Sequence, residues 1–482
     1  MGEYQLINNN TIKILGIIFD RKCSWTHHIN SLKNSISPRL NVIKMLSHTS
    51  WGSKTHVLLT IYKSLILSKF DYGSFIWTTA HKSISKKLDT IHNSGLRMSI
   101  GAYRSSPIPS IYNLACTQPL DIRRLKITLN HELKLASTLP TLDFKPIFQM
   151  LPSLLQENNL DTSKILTITP SLTPQWKNLI ETNTELSIFK KDDTPPSIYK
   201  KEYFHIIQNI TSEKMYTDAS KSQDGVGAAV IWNNSELMYK LPSTCSVFTA
   251  ESIAILKALD IITDHHLQDT IIFTDSLSAI NNIKNTYNPS DIGLHIQNKI
   301  HTLQYHNNFK IKLFWIPGHS SIIENELADL AAKSAISSPL STSSQIISSS
   351  DIRSLITKKC QQTWHQRWTS YYTKLNRIKH NTVNWTFPIE IHRKFEVIIT
   401  RLRIGHTKIS HSFLMAKEEP PMCPSCGVQV TISHILTECQ TYHNARTSHN
   451  LPESLSEILS NHPQSIVNII KFIAAANLQT KI

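Results

Sequence analysis

Between residues 211 and 337 the chain switches between strand-like and helix-like apolar spacing in an order that few sheets accommodate. Glu213–Asp218, Gly225–Trp232 and Ser235–Leu241 read as three strands joined by short turns. Phe248–Thr263 then carries Ile253, Ile255, Leu256, Leu259 and Ile262 at helical spacing. Strand Thr270–Thr274, helix Ser276–Ile283, helix Ile292–Leu303, strand Phe309–Trp315 and helix Ile323–Ala335 complete the series. Three strands in a meander followed by alternating helices and strands predict an α/β domain, a mixed five-stranded sheet covered by helices.

Four acids punctuate that series. Asp218 ends the first strand-like run, Glu251 sits inside the first helical pattern, Asp275 ends the run Thr270–Thr274, and Asp329 lies near the start of an Ala-rich helix. Singly, each has an ordinary explanation: an Asp at a strand end forms turns or caps a helix, as Asp275 would for the helix begun by Ser276. Glu251 alone would be an acid of a first helical turn. As a set they describe a cluster of negative charge suited to divalent cations. Two such ions about 3.5–4 Å apart activate a water and relieve charge on the leaving oxygen of a phosphodiester. Mg²⁺ prefers hard oxygen ligands and keeps several waters, so a few carboxylates suffice.

Thr217-Asp218-Ala219-Ser220, Thr249-Ala250-Glu251, Thr274-Asp275-Ser276 and Asn325-Glu326-Leu327-Ala328-Asp329 resemble, in order, the four acid motifs of the RNase H family. Trp315-Ile316-Pro317-Gly318-His319 resembles that family's mobile histidine loop. The resemblance implies an RNase H-like fold and hydrolysis of the RNA strand of RNA–DNA hybrids with two Mg²⁺ ions, Mn²⁺ being able to substitute. It implies that Asp218 bridges both ions, Glu251 and Asp275 hold one each, and Asp329 completes the second. His319 would assist proton transfer or product release, and Ser220 and Ser276 would lie near the substrate backbone. Ala219 stands where many members have Gly.

The charge is uneven. Residues 206–340 hold 9 Lys and Arg against 13 Asp and Glu, although the whole chain of 482 residues carries a formal charge of +15. An acidic catalytic-looking module with basic flanks fits a grip on a polyanion. The module contains no Arg and no basic protrusion between Ile283 and Ile292, so hybrid binding falls to the flanks. The seven cysteines are no secreted disulfide framework: Cys23, Cys116, Cys245 and Cys360 are scattered and three crowd into one tract. The amino terminus lacks a signal-peptide core, and the most apolar stretch, Ile466–Ala476, is broken by Asn468 and Lys471. A soluble, intracellular protein with no membrane partner is the expectation.

In the tract, Cys423 and Cys426 are followed by His434 after seven residues and Cys439 after four more. Two thiolates across a tight turn, an imidazole and a third thiolate complete a tetrahedral Zn²⁺ site, with His443 as a competing last ligand. Cys423–Tyr442 resembles the terminal zinc knuckle of non-LTR retrotransposon polyproteins. Arg401-Leu402-Arg403-Ile404-Gly405-His406-Thr407 and His411-Ser412-Phe413-Leu414 resemble the segment before it. A structural zinc there would help hold nucleic acid, single strands included, alongside Arg401, Arg403 and Lys408.

At the other end, Leu15–Asp20, Phe70-Asp71-Tyr72-Gly73, Leu96–Arg104, Ser106-Pro107 and Pro119–Arg124 resemble the segment just after the polymerase core in reverse transcriptases of such elements. A polymerase needs paired Asp residues on a hairpin. The sole Asp-Asp, Asp192-Asp193, lies among charged and Pro-rich flanks that mark a linker, so DNA synthesis is not expected. The expected organisation is a mostly helical post-polymerase segment at 1–125, a connector at 126–205, and the α/β domain at 206–337. A Ser-rich flexible linker at 338–350, a basic helical segment at 351–420, the zinc knuckle at 421–445 and a helix at 446–482, spanning Ser454–Ala476, follow. The readings in contention are a hybrid-specific ribonuclease, a nucleic-acid-binding remnant whose catalysis has lapsed, and an accessory that docks on a polymerase.

Overall fold

The computed structural model describes residues 10–138, 150–172, 180–189 and 193–482. Asp192 of the Asp-Asp pair and the first nine residues fall outside them. One compact unit joins the chain up to Thr128 with Lys358–Ile482, and the other is Leu129–Thr357.

The first unit opens with a hairpin of β1 (Thr11–Ile14) and β2 (Ile17–Asp20), paired antiparallel. Helices follow, chiefly Thr26–Leu46, Thr55–Tyr62, Lys82–Ile100 and, from the far end of the chain, Arg393–Ile404 and Pro463–Ala475. Trp25, Tyr62 and Trp77 are buried in its core, so these aromatics are packing residues; Trp51 and Tyr72 are exposed. Trp368 is also buried, its Nε1 donating to the Lys379 carbonyl at 3.0 Å. The helix expected over Ser454–Ala476 is two helices, Leu455–Ile458 and Pro463–Ala475. Pro463 lacks the N–H that a continuous helix would use, and it is tolerated only in the first turn of a new one.

The second unit is built on one seven-stranded sheet. Its central members are β4 (Glu213–Lys221), β5 (Val226–Trp232), β6 (Ser235–Leu241), β7 (Asp269–Thr274) and β8 (Lys310–Trp315). β4, β5 and β6 pair antiparallel, while β7 joins β4 and β8 joins β7 in parallel, which makes the sheet mixed as expected. Alternate residues feed two cores: Met215, Val226, Ala228, Val230 and Ile272 pack one face, and Tyr216, Ile231, Ile271 and Phe273 the other. Covering both faces explains the unbroken apolar runs, and each fully buried aliphatic side chain contributes about 1.5–3 kcal/mol.

Two edge strands have no counterpart in the sequence pattern. β3 (Glu181–Asn183) comes from the connector and lies parallel to β8; β9 (Thr342–Ser343) comes from the Ser-rich stretch and lies parallel to β6. An exposed edge offers unpaired backbone groups, and these short segments cover them. The stretch expected as a flexible linker is therefore tied down. Ile347 and Ser348 are buried, Ser348 Oγ donates to Asp291 at 2.9 Å, and Leu166 N donates to the Ile347 carbonyl at 3.0 Å.

Candidate metal-dependent active site

The register of the parallel strands sets up the site. Thr217 on β4 is aligned with Thr274 on β7, so the next residues, Asp218 and Asp275, lie at the same level just past the end of the parallel pairing. Adjacent strands lie about 4.8 Å apart, which brings two carboxylates within reach of one cation. Asp218 does not end its strand, as its sequence position suggests: β4 continues to Lys221 because β5 goes on pairing with it, Asp218 opposite Ala229. What ends at Asp218 is the parallel pairing.

Glu251 arrives from the Val247–Asp264 helix, whose start is fixed by Ser246 accepting from Thr249 N at 3.2 Å. Glu251 therefore lies beyond the first turn. Carboxylate oxygens of Asp218, Glu251 and Asp275 come within 4.8 Å of one another. Ser276 caps the Leu277–Lys284 helix, its Oγ accepting from Ala279 N at 3.3 Å, which frees Asp275 from the capping role. The same hydroxyl, expected near the substrate, also lies 3.2 Å from Ser278 Oγ. Ser220 sits on β4, half-buried, opposite Gly227.

Three acids in one buried corner perturb each other. Burial, then the charge of Asp275, pushes the Asp218 carboxyl up to about 7, against the pull of the Ala219 N–H at 2.6 Å. Glu251 is raised well above its usual range, first by burial and then by Asp218 and Asp275. Its Oε2 is buried without a hydrogen-bond partner. Such an arrangement is costly without a counter-charge, and a hard cation is the group that all three oxygens can share.

Asp329 stands apart from this triad. It lies mid-way along the Ile323–Ser334 helix, and its Oδ2 pairs with Lys333 Nζ at 2.6 Å, one turn on. That helix sits hard against the sheet because Gly227 has no side chain: a Cβ there would meet the Ala332 carbonyl at 2.2 Å. The histidine loop touches Asp275, since a Cβ on Gly318 would lie 2.3 Å from its Oδ2. Trp315 Nε1 donates to the Asp275 carbonyl at 2.9 Å. His319 itself is exposed, with φ +57°. Sequence reasoning misses the parts played by Gly318 and Lys333, although a Lys four residues after Asp329 is a legible helix pairing.

The knuckle residues also gather. Donor atoms of Cys423, Cys426, His434 and Cys439 lie within 4.8 Å of one another, with Cys423 Sγ and Cys439 Sγ 3.7 Å apart. A tetrahedron with Zn–S bonds of about 2.3 Å has S···S edges of about 3.8 Å. Gln440 N approaches Cys426 Sγ at 3.5 Å, and Gly427, φ +67°, supplies the left-handed turn. His434 draws the Cys423 thiol down to about 6, the start of thiolate character. Neither His434 ring nitrogen makes a hydrogen bond of good geometry, and Nδ1 lies 3.7 Å from Glu438. Arg401 and Arg403, by contrast, do not face nucleic acid. Arg403 is buried and clamps the carbonyls of Leu459 and Ser460, while Arg401 holds those of Gly101 and Ile482. Lys408 is exposed.

The RNase H family model matches residues 211–337, the span that holds all four acids and His319. Residues 211–337 are an RNase H domain. Two solved structures are similar to that part: an RNase H1 from Halobacterium salinarum, 18% identical over 26% of this chain and 97% of that one, TM-score 0.21, and the N-terminal RNase H domain of a Mycobacterium tuberculosis protein, 17% identical over 26% and 98%, TM-score 0.20. The chain is also similar to a Pol polyprotein of the type-1 retrotransposable element R1 4 of Nasonia vitripennis, 24% identical over 132 residues. That match covers 27% of this chain and 34% of that protein. A probable RNA-directed DNA polymerase from the X-element of Drosophila melanogaster is 31% identical over 94 residues, 19% of this chain and 10% of that one. The chain thus spans about a third or less of either relative. Among the described residues no helix is long and apolar enough to cross a membrane.

Proposed function

We propose that the chain is a ribonuclease H that cuts the RNA strand of RNA–DNA hybrids, and that it derives from a non-LTR retrotransposon. The convergence of Asp218, Glu251 and Asp275 carries this reading. Bound there, a pair of Mg²⁺ ions supplies an activated water and charge relief at the leaving oxygen. Asp218, Glu251 and Asp275 would hold these ions, with Asp329 joining after it leaves Lys333. His319, exposed on the loop whose Gly318 lies against Asp275, would assist proton transfer or product release. The hybrid would be read through 2′-hydroxyls and phosphates rather than sequence. Its grip falls to the first unit, which holds 32 Lys and Arg against 12 Asp and Glu, whereas the second holds 18 against 23. Zn²⁺ on Cys423, Cys426, His434 and Cys439 would be structural.

The test is a panel of labelled substrates in Mg²⁺: hybrid, single-stranded RNA, and duplex DNA. Internal cleavage of the hybrid's RNA strand alone is expected, and cleavage of none or of all three contradicts the proposal. The pairing of Asp329 with Lys333 favours one second reading, a nucleic-acid-binding remnant or polymerase accessory without turnover. In that case the hybrid binds and stays intact.

A further inference from the structure

A cavity of about 460 Å³ in the first unit is independent of the nuclease site and is not explained by it. Trp385 and Phe387 form one wall, both against the buried Arg403 guanidinium, at 4.8 and 5.6 Å from its carbon. That guanidinium, held by three acceptors, makes the wall rigid. Glu396 and Thr400, one helical turn apart on Arg393–Ile404, form the polar side. Both are at least nine-tenths buried, at 4% and 5% exposure.

Glu396 is half used. Its Oε2 accepts from Thr55 N and Thr55 Oγ1, both at 2.8 Å, and lies 3.5 Å from Arg393 Nη1. Its Oε1 accepts no hydrogen bond from the described residues and is not among the atoms sealed from solvent. Water can serve that oxygen in the free chain, and a ligand that displaces the water must supply donors in its place, because an unmet acceptor costs about 1–3 kcal/mol. Lys54, ion-paired with Glu390, and the exposed His56 stand at the rim.

An aromatic wall beside the half-used Glu396 carboxylate selects among planar heterocycles by the edge they present. Guanine offers two adjacent donors, N1–H and N2–H, and no acceptor between them. Adenine and cytosine put a ring-nitrogen acceptor beside their amine, and uracil flanks its single N–H with carbonyls; each sets a lone pair against the carboxylate. We propose that this cavity binds a guanine base, its N1–H and N2–H donating to Glu396 Oε1, its O6 accepting from the Thr400 hydroxyl, and its ring lying on Phe387 and Trp385. The volume suits one base, within the range of small-ligand pockets. The strongly basic unit around it points to guanine in a single strand as the source, with a free guanine nucleotide the other source of the same chemistry.

The experiment titrates the full chain calorimetrically with GMP, IMP and AMP, and with the RNA pentamers UUGUU and UUAUU. GMP should bind about tenfold or more tightly than AMP, the scale of one hydrogen bond to a charged group, with IMP between them. Tighter binding of UUGUU than of GMP identifies the strand as the source, and the reverse identifies the free nucleotide; guanine preference supports the site in both cases. Glu396→Gln should abolish that preference, and Phe387→Ala should weaken every ligand by roughly fivefold or more without changing the ranking. If circular dichroism shows Glu396→Gln unfolded through its loss at Thr55, Thr400→Val carries the test and should reduce the preference. Equal binding of GMP and AMP, no binding of either, or a preference that survives in a folded Glu396→Gln or Thr400→Val chain overturns the proposal.

Discussion

Asp218 and Glu251 show at the residue scale what a catalytic corner costs its fold. Two buried carboxylates, both raised in pKa and one with an oxygen lacking a partner, repel each other and Asp275. Asp218→Asn should therefore raise the melting temperature of the metal-free chain. The gain follows from removing a carboxyl that burial and Asp275 hold above its ordinary range, and it is measured by calorimetry in EDTA. A lowered melting temperature would mean that the charge is already compensated within the fold. Lys333 bears on the same site from outside. Its one-turn ion pair with the half-buried Asp329 has an exposed Lys333 end and is worth only about 0.3–0.5 kcal/mol, so Lys333→Met should lower the Mg²⁺ requirement for cleavage by no more than about twofold. A larger fall would show that the pair holds the acid more firmly than its exposure implies. The acids are legible in the sequence because their order and spacing survive in one dimension. Their different fates are not, since a strand register and a helix rotation decide that three converge while Asp329 turns to Lys333.

Among the elements, the contact between β5 and the Ile323–Ser334 helix positions Asp329. Gly227 makes it possible, because a Cβ there would overlap the Ala332 carbonyl and approach the Ala335 Cβ at 2.9 Å. Gly227→Ala should cost about 1–3 kcal/mol, the usual scale of overpacking, and should reduce cleavage beyond what lost stability explains. Unchanged melting and unchanged activity would show that the helix can shift freely. The five central strands and the helices between them are readable from apolar period alone. β3 and β9 are not: segments of three and two residues have no period to read, and their pairing depends on which edges the finished sheet leaves open. The break before Pro463 is readable in principle, but apolar spacing on both sides of it masks the interruption.

For the whole molecule the two units differ in how they meet acid. The helical unit buries His92, held down to about 3 by burial and then by Arg123 and Arg124. His406 and His411 are likewise depressed, to about 3 and about 4, by burial first. Between these values and the unfolded value of 6.5 the unfolded chain binds more protons, so stability is present above pH 6.5 and is lost as pH falls toward 4. At pH 5, His92 alone should cost about 2 kcal/mol. Protection factors for hydrogen exchange in residues 82–100 and 393–404, taken relative to the intrinsic rate at each pH, should therefore fall between pH 7 and pH 5, and unchanged protection factors would contradict the assignment of His92 as neutral and buried. Charge counting separates an acidic middle from basic flanks. That the two flanks fold together as one unit is invisible to it, because contacts such as Arg401 to Gly101 link residues about 300 positions apart and leave no local pattern. The same distance explains why Arg401 and Arg403 look like nucleic-acid ligands in the sequence.

Zinc is tested at the same scale. One equivalent per chain is expected, lost in Cys423→Ser together with ordered structure around His434, since a structural zinc supplies folding free energy directly. Absence of bound zinc from the native chain would undo the knuckle.

The proposed activity of the carboxylate corner of the RNase H domain is divalent-metal hydrolysis of the RNA strand of a hybrid. Single-turnover cleavage of an RNA–DNA hybrid by the full chain, titrated with Mg²⁺ beside Asp218→Asn, tests it most directly. Internal cleavage should rise with Mg²⁺ and fall on the order of 10²-fold or more in the variant, the scale of losing one preorganised electrostatic contact. Equal cleavage by both proteins, or cleavage that persists in EDTA, would contradict it.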